Sequence, residues 1–196
     1  PFAALFFVTS RPMIGALLQH GNFTAEAAHN TARALMGFSV GLVGFSVYLF
    51  VLRGFYAHED TRTPFVINCF ENALNVVLAV ILVDRYGVLG LGLAFGVAYV
   101  VSAIVALFVV ERRHPEFGSL ALMRSLSPML VATAPAAGAA WAIGRALGDT
   151  AGLGAVVRTA ASYLVGAVVY VALLRLMRVR ETNVLVDRLR GFSAGR

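Results

Sequence analysis

Six apolar runs, each ended by a short polar stretch, organise this chain. Residues 2–18 are apolar except at Arg11, beside Pro12, and residues 35–52 form a stretch of 18 without a charge. Residues 64–83, 88–110, 125–144 and 159–174 follow, the last extendable to Met177 if Arg175 snorkels to the interface. About 20 apolar residues cross a bilayer as a helix, a structure that pairs its own backbone polar groups in lipid. The runs predict spans near 2–18, 30–56, 64–83, 88–110, 125–145 and 157–177, the first of them partial. The expected fold is an all-α integral membrane protein, an antiparallel transmembrane helix bundle over 1–178 with a basic tail over 179–196.

The polar stretches carry the punctuation. Thr24 is placed to N-cap the second helix, and Gly21 to turn the chain before it. The densest polar stretch, the hinge, runs over 53–64 and joins two spans closely enough to make them antiparallel. Its end reads as a helix start, with Thr63 as cap and Pro64 at the first helical position. Gly37, Gly41 and Gly44 form a small face on the second span, and Gly92 and Gly96 repeat that spacing on the fourth, both signals for close helix packing. Pro128 and Pro135 lie inside the fifth run, where the second is expected to kink it.

One span is marked by polar residues. Asn68, Glu71, Asn72 and Asn75 fall on one face at 100° per residue, and such a stripe in a membrane helix should face protein or water. Glu71 and Asn75 are expected to face a central cavity as coupling or substrate contacts; a packed, protonated Glu71 bonded to Asn68 or Asn72 is the alternative.

Composition agrees with lipid as the solvent: 59% of the 196 residues are hydrophobic and 13% charged, with a mean hydropathy of +0.81. All 16 basic residues are arginine, and the net charge of +6 reads as membrane orientation and anionic headgroups rather than nucleic-acid binding. With the hinge inside, 11 arginines fall on the cytoplasmic side against 5 on the other (11, 33, 85, 145, 158), which predicts that hinge loop 57–63 and the C-terminus are cytoplasmic. In the tail, Leu185, Leu189 and Phe192 at helical spacing predict a short interfacial helix. The chain opens at Pro1 inside an apolar run, which reads as a fragment of a larger membrane protein and not as a signal peptide. A single cysteine, Cys69, excludes an internal disulfide. Glu26 and His29 have an i, i+3 metal-pair spacing with too few further ligands, so no metal site and no cofactor are expected. No catalytic triad or phosphate-cradling loop is visible, and the chain does not read as an enzyme.

The hinge carries the most specific pattern. Phe55-Tyr56-Ala57, two further residues and Asp60-Thr61-Arg62-Thr63-Pro64 resemble the loop of the MurJ/MviN family, lipid II flippases of the MOP transporter superfamily. Gly21-x-Phe23-Thr24, the run from Phe38 to Leu42 and the run from Gly90 to Ala94 resemble that family at compatible spacing. The resemblance covers about residues 11–112 by motif and the last two spans by position and hydrophobicity.

The resemblance implies the C-terminal portion of a two-lobed flippase that moves lipid II, the undecaprenyl-diphosphate-linked peptidoglycan precursor, by alternating access across the bacterial cytoplasmic membrane. The implied partners are lipid II, membrane lipids, the N-terminal lobe of the same protein and cell-wall or division proteins. It implies a lipid-tail groove on the last two helices. Arg53, at the end of its helix, is a candidate for a diphosphate contact or a positive-inside anchor, and Arg62 with Asp60 is expected to pin the loop. Sodium-coupled members use an acid four positions after the asparagine that Asn75 matches and a hydroxyl on the next helix; here those positions hold Ala79 and Phe95. The rival readings are another MOP exporter, of polysaccharide-lipid or drugs, and a membrane scaffold that recruits cell-wall machinery through the basic tail.

Overall fold

The computed structural model describes residues 1–18, 22–148 and 152–177. The expected turn at Gly21 and the tail helix at Leu185, Leu189 and Phe192 lie outside them. The described residues form helices α1 (Phe2–Leu18), α2 (Ala25–Ala57), α3 (Arg62–Tyr86) and α4 (Val88–Arg113), a 3-10 turn (Pro115–Phe117), and helices α5 (Ser119–Leu147) and α6 (Gly152–Leu176). Five helices are long and apolar enough to cross a membrane, with the 17-residue α1 as a shorter apolar helix. The chain is an all-α helix bundle of the membrane type.

Local chemistry sets the helix ends. The Thr24 hydroxyl accepts the Ala27 N–H at 3.2 Å, the expected cap of α2. At the opposite end of the hairpin, α3 and α4 are joined by Gly87 alone, whose φ of 59° and ψ of −136° suit a residue without a Cβ. Arg33 on α2 donates to the Tyr86 carbonyl at 3.1 Å, so a cation meets the free carbonyls at the end of α3. Helix α5 continues through both Pro128 and Pro135.

Packing centres on α2 against α4. Lipid gives no hydrophobic drive between helices, so association depends on close contact. Gly37, Gly41 and Gly44 meet Gly92, Gly96 and Val100 almost backbone to backbone: a Cβ at Gly37 would come within 2.8 Å of the Gly92 Cα, and one at Gly44 within 2.7 Å of Val100. The two small faces expected from sequence are thus each other's partners. Beside the seam, Phe45 and Tyr48 meet Tyr99 edge to face, and Phe38 meets Phe95 likewise at 5.1 Å. Towards the hinge the core continues as Tyr48, Val51, Leu52 and Phe55 of α2 with Ala103, Ala106 and Val110 of α4 and Ile67 of α3.

Helices α1, α5 and α6 form a second packing group, joined to the first through α1 against α2. Ile14 of α1 sits with Ala28 and Ala32 of α2, and Gly166 of α6 lies against Leu5 and Ala140. Ala132, Ala136 and Ala140 are buried, so part of the small-residue surface expected to form a lipid-tail groove on α5 and α6 is used in helix packing. A shallow groove is instead lined by α1, α2 and Ala137 of α5.

The seam gives a direct test. Gly41→Val forces α2 and α4 apart and should lower the thermal unfolding midpoint of the detergent-purified protein by several degrees. Gly138→Ala, where no atom lies within 4 Å of the new Cβ, should leave it unchanged.

Candidate functional site

The hinge is built as a tight turn by its backbone. Glu59 adopts φ 59°, its N–H donates to the Tyr56 carbonyl at 3.0 Å, and the Asp60 N–H reaches back to the Phe55 carbonyl at 3.0 Å. This paired arrangement is a Schellman end for α2, with a glutamate where glycine is usual. Asp60 then starts α3: its carboxylate accepts the Thr63 N–H at 3.0 Å. The capping side chain is therefore Asp60, one residue before the N-cap position at Thr61, and not Thr63, whose side chain is buried, and Pro64 is the third residue of α3, still in the first turn where no N–H is needed. The reason is reach: a carboxylate just outside the helix spans three residues to an orphan N–H, whereas Thr63 is already inside.

Asp60 has a second partner, and it is not Arg62. Its other carboxylate oxygen pairs with Arg113, at the end of α4, at 2.8 Å. Hydrogen bonds from Thr63, side chain first and backbone next, with the Arg113 guanidinium near by, hold the Asp60 carboxyl below the usual aspartate range. Phe55 is fully buried in the core while Tyr56 is exposed. The hinge motif thus acts as a clasp: Phe55 anchors it, Asp60 caps and pairs, and Thr61 and Arg62 stay exposed.

Between α3 and α4, just inside this clasp, opens a groove of about 680 Å³. Asp60, Arg62, Thr63 and Arg113 line its polar end, and Val66, Ile67, Phe70, Val105 and Val109 its apolar walls. A shallower depression on its outer side shares Arg62 and Val66 and adds Thr61 and Phe65. Arg53 is exposed and lines neither.

The polar stripe of α3 divides. Asn68 and Asn72 lie on the exposed side, where the Asn72 amide donates to the Asn68 carbonyl at 2.9 Å and to its side-chain oxygen at 3.2 Å. Glu71 turns inward and is 1% exposed, and its Oε1 has no hydrogen-bond partner among the described residues. The asparagines therefore bond each other and leave the buried carboxyl oxygen open. The Tyr48 hydroxyl is also buried, close to Asn68 and within electrostatic range of Glu71. Asn75 is half-buried one turn deeper. Neither Ala79 nor Phe95 supplies an oxygen, and the Phe95 ring is occupied by aromatic contacts with Phe38, Phe45 and Tyr99.

The family model described as lipid II flippase MurJ matches residues 1–166. The chain belongs to the lipid II flippase MurJ family. It is 29% identical over 102 residues to the lipid II flippase MurJ of Thermosipho africanus, covering 52% of this chain and 22% of that protein. A probable lipid II flippase MurJ of Borreliella burgdorferi is 24% identical over 135 residues, covering 69% of this chain and 27% of the relative. Its counterpart in Thermotoga maritima is 29% identical over 124 residues, covering 63% and 26%. The chain thus spans about a quarter of the length of these curated relatives.

Local sequence reading does not assign partners to three residues at this end, Arg113, His114 and Glu116. The paired clusters of charge at 58–62 and 111–116 were the available signal, since antiparallel spans bring alternate connections to one surface. Glu26 and His29 remain exposed on the first turns of α2.

The lowered pKa of Asp60 fixes a pH dependence. A carboxyl whose folded value lies below its unfolded value of about 3.9 contributes stability above that value and loses it as pH falls through the folded one. The difference in unfolding midpoint between the protein and Asp60→Asn should be constant from neutral pH to about pH 5, and should shrink towards zero in stronger acid. A difference that grew on acidification would contradict the clasp.

Proposed function

We propose that this chain is the C-terminal part of a flippase that carries lipid II across the bacterial cytoplasmic membrane by alternating access. Family membership names the substrate class, and the amphipathic groove between α3 and α4 is the observation that carries the reading for this part of the protein. A lipid-linked diphosphate needs cationic donors beside an apolar wall. Arg62 supplies a guanidinium at the polar end, and Val66, Phe70 and Val105 supply a wall for prenyl carbons. Arg53, exposed at the start of the hinge, acts as a positive anchor at the membrane surface.

Glu71 is the coupling group in this reading, with Asn75 beside it. It lies nine residues beyond Arg62, about 14 Å along α3 at 1.5 Å per residue, well inside the span. A carboxylate at such depth costs several kcal/mol by typical estimates unless it takes a proton or a counter-charge. Its open, buried oxygen supports a role in binding one of these during the cycle. The outward face of α3, where Phe65, Val76 and Val80 are exposed, is the surface proposed to meet the preceding lobe of the same protein. The family match favours this over another MOP exporter or a scaffold for cell-wall proteins.

Reconstituted full-length protein and fluorescent lipid II test the groove and the coupling group together. Arg62→Ala should slow translocation by about tenfold, equivalent to about 1.4 kcal/mol. Glu71→Gln should slow it and remove its dependence on pH. Wild-type rates at all pH values in Glu71→Gln would end the coupling role, and unchanged rates in Arg62→Ala would end the headgroup role.

The orientation has its own test. A cysteine placed at Glu59 in a Cys69→Ser background should react with a membrane-impermeant maleimide from the cytoplasmic face only. Labelling from the opposite face would invert the topology.

A further inference from the structure

At the hinge surface, beside the clasp but outside the groove, three metal-ligating side chains converge from separate segments. His58 is the C-cap of α2, His114 is the C-cap of α4, and Glu116 belongs to the 3-10 turn that follows. Glu116 Oε1 lies 3.4 Å from His114 Nδ1 and 3.9 Å from His58 Nε2, and the three donor atoms all fall within 4.8 Å of one another. We propose that His58, His114 and Glu116 form a binding site for a late first-row divalent cation of the zinc class, which ties the α2–α3 hinge to the α4–α5 connection.

The backbone around the three donors is held. The His114 N–H donates to the Val110 carbonyl at 2.7 Å, and the Phe117 N–H returns to the His114 carbonyl at 2.9 Å. Phe117 packs on the core and against Gly54, where a Cβ would come within 2.7 Å of the ring. That contact seats the 3-10 turn on α2 and brings Glu116 beside His58. Arg113, the adjacent cation, is engaged by Asp60 at 2.8 Å, which satisfies its charge away from Glu116.

The donor set is two imidazoles and one carboxylate, a combination zinc accepts with bonds of about 2.0–2.2 Å and a fourth position left to water. Tetrahedral ligands at those lengths stand about 3.3 Å apart, close to the 3.4 Å and 3.9 Å found here. The imidazole rings are stacked at 3.8 Å and 9°. A bound metal lies in the plane of each imidazole that holds it, and parallel planes share no such point. Capture therefore rotates one ring out of the stack, and His58, on the exposed side, has the room to turn. The site is assembled in position and completes its orientation on binding.

Zinc titration of the detergent-purified full-length protein against a chromophoric chelator is the test. The expected result is one tight zinc per chain, a raised unfolding midpoint with zinc present, and an absorption-edge spectrum fitted by two imidazoles and oxygen donors. His58→Ala with His114→Ala should weaken binding by about 100-fold or more, beyond the 10–100-fold typical of losing an outer-shell partner. Glu116→Gln, at an exposed position that leaves the fold intact, should weaken it by about tenfold or more, and Glu26→Ala with His29→Ala should leave it unchanged. Equal affinity in wild type and in Glu116→Gln, or zinc binding that follows Glu26 and His29 instead, would overturn the site.

Discussion

The backbone contact between α2 and α4 is the constraint on which the other features depend. Gly37, Gly41 and Gly44 against Gly92, Gly96 and Val100 set the separation and register of two long helices in a solvent that offers no hydrophobic drive for their association. With that register set, the end of α4 arrives beside the hinge after α2. Asp60 then reaches Arg113, His58 stacks on His114, and Phe117 seats on Gly54. Each contact joins residues more than fifty positions apart. None would form if the glycine seam slipped by a turn.

The same seam explains how α3 can serve a different purpose. Since α2 and α4 satisfy each other, α3 packs mainly on α4 through a narrow strip of Thr63, Ile67 and Glu71, and leaves most of its surface outward. The strip closes the base of the groove while Arg62, Val66 and Phe70 line it.

Local signals with short-range physics were readable in the chain. Thr24 caps α2 because a hydroxyl before a helix meets an orphan N–H whatever lies around it. The small faces of α2 and α4 were legible for a similar reason, since glycine at every fourth position leaves a flat strip on any helix. At the hinge two oxygen-bearing side chains three positions apart, Asp60 and Thr63, compete as cap, and the backbone turn at Glu59 selects Asp60. Glu59 gave no warning, since a left-handed conformation is expected of glycine rather than glutamate.

Hydropathy alone determined the all-α membrane class, with five long apolar helices and a shorter first one among the described residues, because burying backbone in lipid admits so few solutions. The hinge motif marked the family. Tertiary structure decided which charges meet. It paired Asp60 with Arg113 rather than with Arg62, split the stripe so that Asn68 and Asn72 bond each other while Glu71 is buried, and gathered His58, His114 and Glu116. The physical reason is that partner choice depends on the relative rotation and register of whole helices. Those are set by the sum of contacts along the α2–α4 seam, which no local stretch of sequence contains.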